Sequence, residues 1–105
     1  MSKVQEAILL VDDNPTNLEV LYKTLENNDY RLLVAKDGAT ALDIIRNVHP
    51  TLVLLDVMMP EMDGFEVCEI IKADPATADV AIVFLSALGD IESKVKGFQA
   101  GGVDY

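Results

Sequence analysis

Apolar residues follow two different rhythms along this chain. Ala7-Ile8-Leu9-Leu10-Val11, Thr51-Leu52-Val53-Leu54-Leu55 and Val80-Ala81-Ile82-Val83-Phe84-Leu85 are short continuous apolar runs. Runs of this length without polar alternation predict strands covered on both faces, as in the interior of a parallel sheet. Arg31-Leu32-Leu33-Val34-Ala35-Lys36 is flanked by polar residues and predicts a strand nearer an edge. Between the runs the period lengthens to that of a helix. Leu18, Leu21 and Leu25 form one stripe, Ala41, Ile45 and Val48 a second, Val67, Cys68 and Ile71 a third, and Ile91, Val95 and Phe98 a fourth.

The punctuation agrees with this division. Asn14 before Pro15 predicts an N-cap followed by proline at the first helical position, and Asp37, Asp63 and Asp90 suit the starts of the other helices. Gly101-Gly102 is placed to end the last helix. The order is βα repeated four times, with Val103-Asp104-Tyr105 beginning a fifth strand. That alternation predicts an α/β fold, a doubly wound parallel sheet with helices on both faces. Residues 1–105 read as one domain without repeat or linker, C-terminally incomplete because another strand and a closing helix would follow. One sheet edge would then lie uncovered.

Charge narrows the function. Eighteen acidic against eight basic residues give a net charge of −10, which disfavours direct nucleic-acid binding and an anionic membrane surface and favours a cation. No apolar run approaches the roughly 20 residues of a membrane span, and the N-terminus lacks a signal-peptide layout, so a cytoplasmic protein is expected. Cys68, the single cysteine, forms no internal disulfide and is expected to be buried and inert. His49, before Pro50, reads as a surface turn residue, and Tyr22 and Met62 as packing or surface residues.

The candidate chemistry lies at the ends of the strands. Ligands of doubly wound sheets bind outside the carboxyl ends of the strands, where Asp12 and Asp13 follow the first strand and Asp56 the third. Were those strands neighbours, three carboxylates would share one pocket, where two charges about 4 Å apart repel by roughly 4 kcal/mol at an effective dielectric near 20. Mg²⁺ is the natural counter-ion, since it takes oxygen ligands and commonly joins carboxylates to a phosphate. Asp56, the lone acid closing an apolar strand, is the candidate nucleophile for an acyl phosphate, and the Asp12-Asp13 pair is better suited to hold the ion. Ser86, after the fourth strand, is placed to offer a hydroxyl to an incoming phosphoryl oxygen.

Taken together, Val11-Asp12-Asp13-Asn14, Leu54 through Gly64 (Leu-Leu-Asp-Val-Met-Met-Pro-Glu-Met-Asp-Gly), Leu85-Ser86-Ala87 and Gly101-Gly102-Val103-Asp104-Tyr105 resemble, in this order and spacing, the receiver domain of two-component response regulators. The resemblance implies a flavodoxin-like fold with strand order 2-1-3-4-5, here lacking most of strand 5 and helix 5. A sensor histidine kinase or phosphotransfer protein would donate the phosphoryl group from a phosphohistidine. Asp56 matches the phospho-acceptor, and Asp12 and Asp13 match the acidic pair that binds Mg²⁺. Met58 matches the position whose backbone carbonyl completes the metal site, Ser86 the switch hydroxyl and Tyr105 the switch aromatic. The family's lysine, three residues after the aromatic, would fall beyond residue 105. The rest of the Met58–Gly64 stretch reads as structural, with Pro60 and Gly64 shaping the loop.

The leading expectation is therefore a phospho-accepting signalling module that is not itself a turnover enzyme. Two alternatives remain. One is an interaction or dimerisation module without phosphoryl chemistry. The other is an aspartyl-phosphate phosphatase, disfavoured because Met58 stands where such enzymes place a second aspartate.

Overall fold

A computed structural model describes residues 6–26 and 29–85. In chain order the elements are β1 (Ala7–Val11), α1 (Pro15–Leu25), β2 (Arg31–Ala35), α2 (Gly38–Val48), β3 (Leu52–Asp56), α3 (Gly64–Ala73) and β4 (Ala81–Leu85). The strands form one parallel sheet in the order β2-β1-β3-β4. The expected helix over 91–98, its Asp90 and Gly101-Gly102 boundaries and a fifth strand at Val103–Tyr105 fall outside the described residues.

Side-chain alternation along the strands divides the interior in two. Leu9, Val11, Val53, Leu55, Ile82 and Phe84 face α2 and α3, where they meet Ala41, Leu42, Ile45, Phe65, Val67, Cys68 and Ile71. Ile8 and Leu10 face the other way, onto Leu18 of α1, with Leu21, Leu25, Leu32, Leu52 and Leu54 partly buried around them. Among the described residues, one helix therefore covers one face and two the other, so both faces carry helices as in a doubly wound sheet. The weaker strand, β2, stands at the edge, as its flanking polarity predicts, and leaves Val34 partly exposed.

Three of the four expected caps are in place, and the fourth, Asp90, is undescribed. The Asn14 side chain accepts from the amides of Thr16 (2.8 Å) and Asn17 (3.3 Å), Asp37 from Thr40 (2.7 Å) and Asp63 from Glu66 (2.9 Å). Each bond satisfies an amide that the first helical turn leaves without an intrahelical partner. Helix α2 ends at His49, a left-handed residue with φ 57° whose amide donates to Ile45, consistent with a surface turn. The α3–β4 connection is closed from within. Buried Thr77 donates its hydroxyl to the Ile71 carbonyl at 2.7 Å, and the Lys72 ammonium donates to the carbonyls of Ala78 (3.0 Å) and Val80 (2.7 Å). No described helix is long and apolar enough to cross a membrane.

Candidate phosphoryl-acceptor and cation site

Strands β1 and β3 are direct neighbours, with Val11 paired to Leu55. Asp12, the residue after β1, and Asp56, the last residue of β3, therefore stand side by side, and Asp13 follows at the start of the β1–α1 turn. One carboxylate oxygen from each of Asp12, Asp13 and Asp56 lies within 4.8 Å of the others. Asp12 is buried, Asp56 half-buried and Asp13 exposed, so the cluster is a cup open on one side.

Local hydrogen bonds aim these groups. The Asn14 amide donates to Asp12 Oδ1 at 2.9 Å, and the Met58 amide reaches Asp56 Oδ1 at 3.4 Å. Asn14 thus serves the site through its backbone and α1 through its side chain. Burial pushes the Asp56 carboxyl up to about 6 from an ordinary 3.8, the neighbouring Asp12 charge adds to the rise, and the Met58 amide partly opposes it. The rise therefore reflects burial first and the crowding of like charge second.

The β3–α3 loop, 57–63, forms one wall. Val57 and Met59 point inward, whereas the Met58 side chain is 75% exposed. The loop ends meet where the Gly64 amide donates to the Val57 carbonyl at 2.9 Å. A Cβ at Gly64 would stand 2.2 Å from the Asp56 carbonyl oxygen, so only glycine lets α3 begin this close to the end of β3. Phe65 then packs on Phe84 of β4, ring centroids 5.3 Å apart. A groove of about 550 Å³ opens beside the carboxylates, lined by Asp13, Asp63, Val57, Met58, Pro60 and Phe65 among others.

The three acids that strand-end reasoning singled out are thus brought together, and the loop carrying Met58 borders them. Leu85 pairs with Asp56 across β3 and β4. Ser86 follows it in sequence, but Ser86 and Tyr105 lie outside the described residues. Sequence reasoning assigned Gly64 to loop shape in general and missed its approach to Asp56. Its place directly after a helix-capping aspartate and close behind a strand-ending one was the available signal. The backbone role of Asn14 toward Asp12 was also missed.

Oxygen-only donors, one buried carboxylate and a half-buried one with a raised pKa fit a small hard divalent cation. A parallel doubly wound sheet with such a cluster at the carboxyl ends of two adjacent strands defines a class of α/β protein built to handle anions through a cation. The profile of the response regulator receiver domain matches residues 8–105. The chain belongs to that family, the phospho-accepting part of response regulators, and its parallel four-stranded order is the receiver order over the described strands.

Relatives and solved structures agree. The chain is 38% identical over 98 residues to the DNA-binding dual master transcriptional regulator RpaA of Synechocystis sp., covering 93% of this chain and 41% of that protein. It is 41% identical over 101 residues to a Vibrio cholerae protein named "Probable cyclic di-GMP phosphodiesterase", covering 96% of this chain and 23% of that one. The chain therefore spans about two-fifths or less of these two relatives. The N-terminal domain of a response regulator receiver protein from Methanoculleus marisnigri JR1 superposes with a TM-score of 0.86 at 38% identity, over 94% of this chain and 80% of that one. The receiver domain of sensor histidine kinase PA1611 from Pseudomonas aeruginosa PAO1, solved with magnesium coordinated in its active-site cleft, gives 0.87 at 30% identity, over 97% and 84%.

Proposed function

We propose that residues 1–105 act as a single receiver domain in which Asp56 accepts a phosphoryl group from the phosphohistidine of a sensor histidine kinase or phosphotransfer protein. The observation that carries this reading is the convergence of Asp12, Asp13 and Asp56 at the ends of adjacent strands, with the Asp56 carboxyl raised to about 6. Near pH 7 such a group is still mainly carboxylate and can attack. An Asp56 oxygen bonds to phosphorus, the phosphorus–nitrogen bond breaks, and its electron pair leaves with the imidazole, which takes up a proton. The product is an acyl phosphate on Asp56.

Asp12, Asp13, Asp56 and the Met58 backbone carbonyl would hold Mg²⁺. When bound, the ion supplies positive charge that offsets the carboxylates and the phosphoryl oxygens. The magnesium in the PA1611 receiver domain supports this assignment. The Met58 amide holds one Asp56 oxygen, and Asn14 fixes Asp12. Ser86 supplies a hydroxyl to the new phosphoryl group and Tyr105 the aromatic of the switch, both by family resemblance. The added charge then shifts a two-state equilibrium and changes a binding surface.

The module only assists its own phosphorylation and dephosphorylation, turns over no other substrate, acts in the cytoplasm and does not itself grip nucleic acid. The net charge of −10 supports the last point. Intact-mass spectrometry after incubation with acetyl phosphate tests the reading. A Mg²⁺-dependent gain of one phosphoryl group, lost in Asp56→Asn, is expected; equal labelling of that variant removes Asp56 as acceptor. Steady release of phosphate from an ester substrate would instead favour the phosphatase.

A further inference from the structure

The wall of the site that carries Met58 is held from a place the phosphoryl-acceptor reading does not use. Within the β3–α3 loop the Met62 amide donates to Pro60 at 2.7 Å, and Glu61 between them is left-handed, with φ 68°. This tight turn sends the Met62 side chain back onto the core shared by α2 and α3. There it lies against Gly38, the first residue of α2. A Cβ on Gly38 would stand 2.9 Å from Met62 Sδ, 3.1 Å from Met62 Cγ and 2.9 Å from Val67 Cγ2. Val67 is fully buried and β-branched, so it has little freedom to turn away. Met62, unbranched and only partly buried, would have to turn its outer atoms away from Gly38 to admit a methyl group.

The backbone at Gly38 does not itself call for glycine. Gly38 is helical and its φ lies outside the left-handed region, and in a helix alanine is the better former. What glycine provides here is space. We infer that Gly38 is a positioning residue for the acceptor site. It forms the seat that receives Met62, and the seated Met62 sets where the β3–α3 loop holds the Met58 carbonyl beside Asp56. The loop is then closed on itself by Gly64 on Val57 and held near its C-terminal end by Met62 on Gly38. The effect on cation binding rests on the assignment of the Met58 carbonyl as a ligand; the seat itself does not.

Two variants of opposite volume test this. Gly38→Ala fills the seat and Met62→Ala removes its occupant. Amide ¹H–¹⁵N spectra of both should show shifts concentrated at residues 57–64, with Mg²⁺ affinity, read by titration of the same amides, falling about tenfold, as for supports that lie behind metal ligands. The double variant should fall short of the sum of the two, since both act through one contact. Met62→Ala keeps the test alive if Gly38→Ala does not fold. If Gly38→Ala shifts only α2 amides, or binds Mg²⁺ within twofold of the parent, the inference is overturned. A parent chain that binds no Mg²⁺ would sink the cation assignment and the positioning role with it, while loop shifts would still report the seat.

Discussion

Replacing Asp56 by asparagine should stabilise the metal-free protein while removing its proposed chemistry. The raised pKa, from 3.8 to about 6, means that ionising Asp56 is harder in the folded chain than in the unfolded one. Two pH units correspond to about 3 kcal/mol at 1.36 kcal/mol per unit, and solvent screening of this partly exposed carboxylate reduces that to about 1–2 kcal/mol. Because the folded value lies above the unfolded one, the folded state binds more protons between about pH 4 and 6. Wild-type stability should therefore fall as pH rises through that window and level off above it. The asparagine carries no charge, keeps the side-chain shape and can still accept from the Met58 amide. In EDTA at pH 7.5, urea unfolding followed by circular dichroism should show Asp56→Asn more stable by about 1–2 kcal/mol, or roughly 5–10 °C in Tm for a domain of this size. The gap should narrow to well under about 1 kcal/mol near pH 4, where the wild-type carboxyl is protonated in the folded state and roughly two-fifths protonated in the unfolded one, and close near pH 3. Added Mg²⁺ should stabilise the wild type by mass action and the variant less. Equal stability at pH 7.5 in EDTA, or a gap that persists unchanged at pH 4, would refute the reasoning.

Other substitutions probe the supports of the site and fold. Gly64→Ala places a methyl where only 2.2 Å separates it from the Asp56 carbonyl oxygen; a loss of about 1–3 kcal/mol is expected, with acceptor labelling slowed by on the order of 100-fold, and wild-type values for both would contradict the close approach. Asn14→Ala should cost about 1 kcal/mol in urea unfolding through the lost cap but leave labelling within about twofold, because the Asp12 contact comes from the Asn14 backbone amide. Thr77→Val leaves the Ile71 carbonyl without its buried hydroxyl donor, for about 1–3 kcal/mol; a neutral result would mean that water replaces the hydroxyl. The Cys68 thiol, buried and pushed up by burial to about 11, should react with Ellman's reagent at pH 8 only as fast as the chain opens, and rapid labelling of the folded protein would count against its burial.

Much of this architecture was legible because it repeats a simple period. The apolar run Ala7–Val11 is β1 to the residue. Strands β3 and β4 begin one residue later than their apolar runs, and hydrogen bonding explains both. Thr51 donates to Ala7 as a lead-in to β3, and Val80 donates to Thr77 and so closes the preceding turn. The acidic triad was legible because each member ends or follows a strand, and adjacency of β1 and β3 was the single condition left to meet. Contacts without a period were not. Nothing in the spacing of Gly38 and Met62 announces that one seats the other. Nor does any spacing announce that the Lys72 ammonium binds two carbonyls of the α3–β4 connection.

The distribution of local conflict supports the functional reading independently of resemblance. Among the described residues, no fully buried side-chain nitrogen or oxygen lacks a hydrogen-bond partner. The described helix starts are capped by side chains suited to that purpose, and buried Thr77 is bonded. Against that background, charge of one sign is gathered in one cleft, where Asp12 is buried beside Asp56 and Asp13. A sequence under pressure for stability alone would relieve such repulsion with one asparagine, as the expected gain from Asp56→Asn indicates. Buried polar groups that are satisfied elsewhere, set against like charge crowded into one cleft, are the pattern expected of a functional site. Here the uncompensated charge is what a cation would neutralise, which is the arrangement that the proposed phosphoryl chemistry at Asp56 calls for.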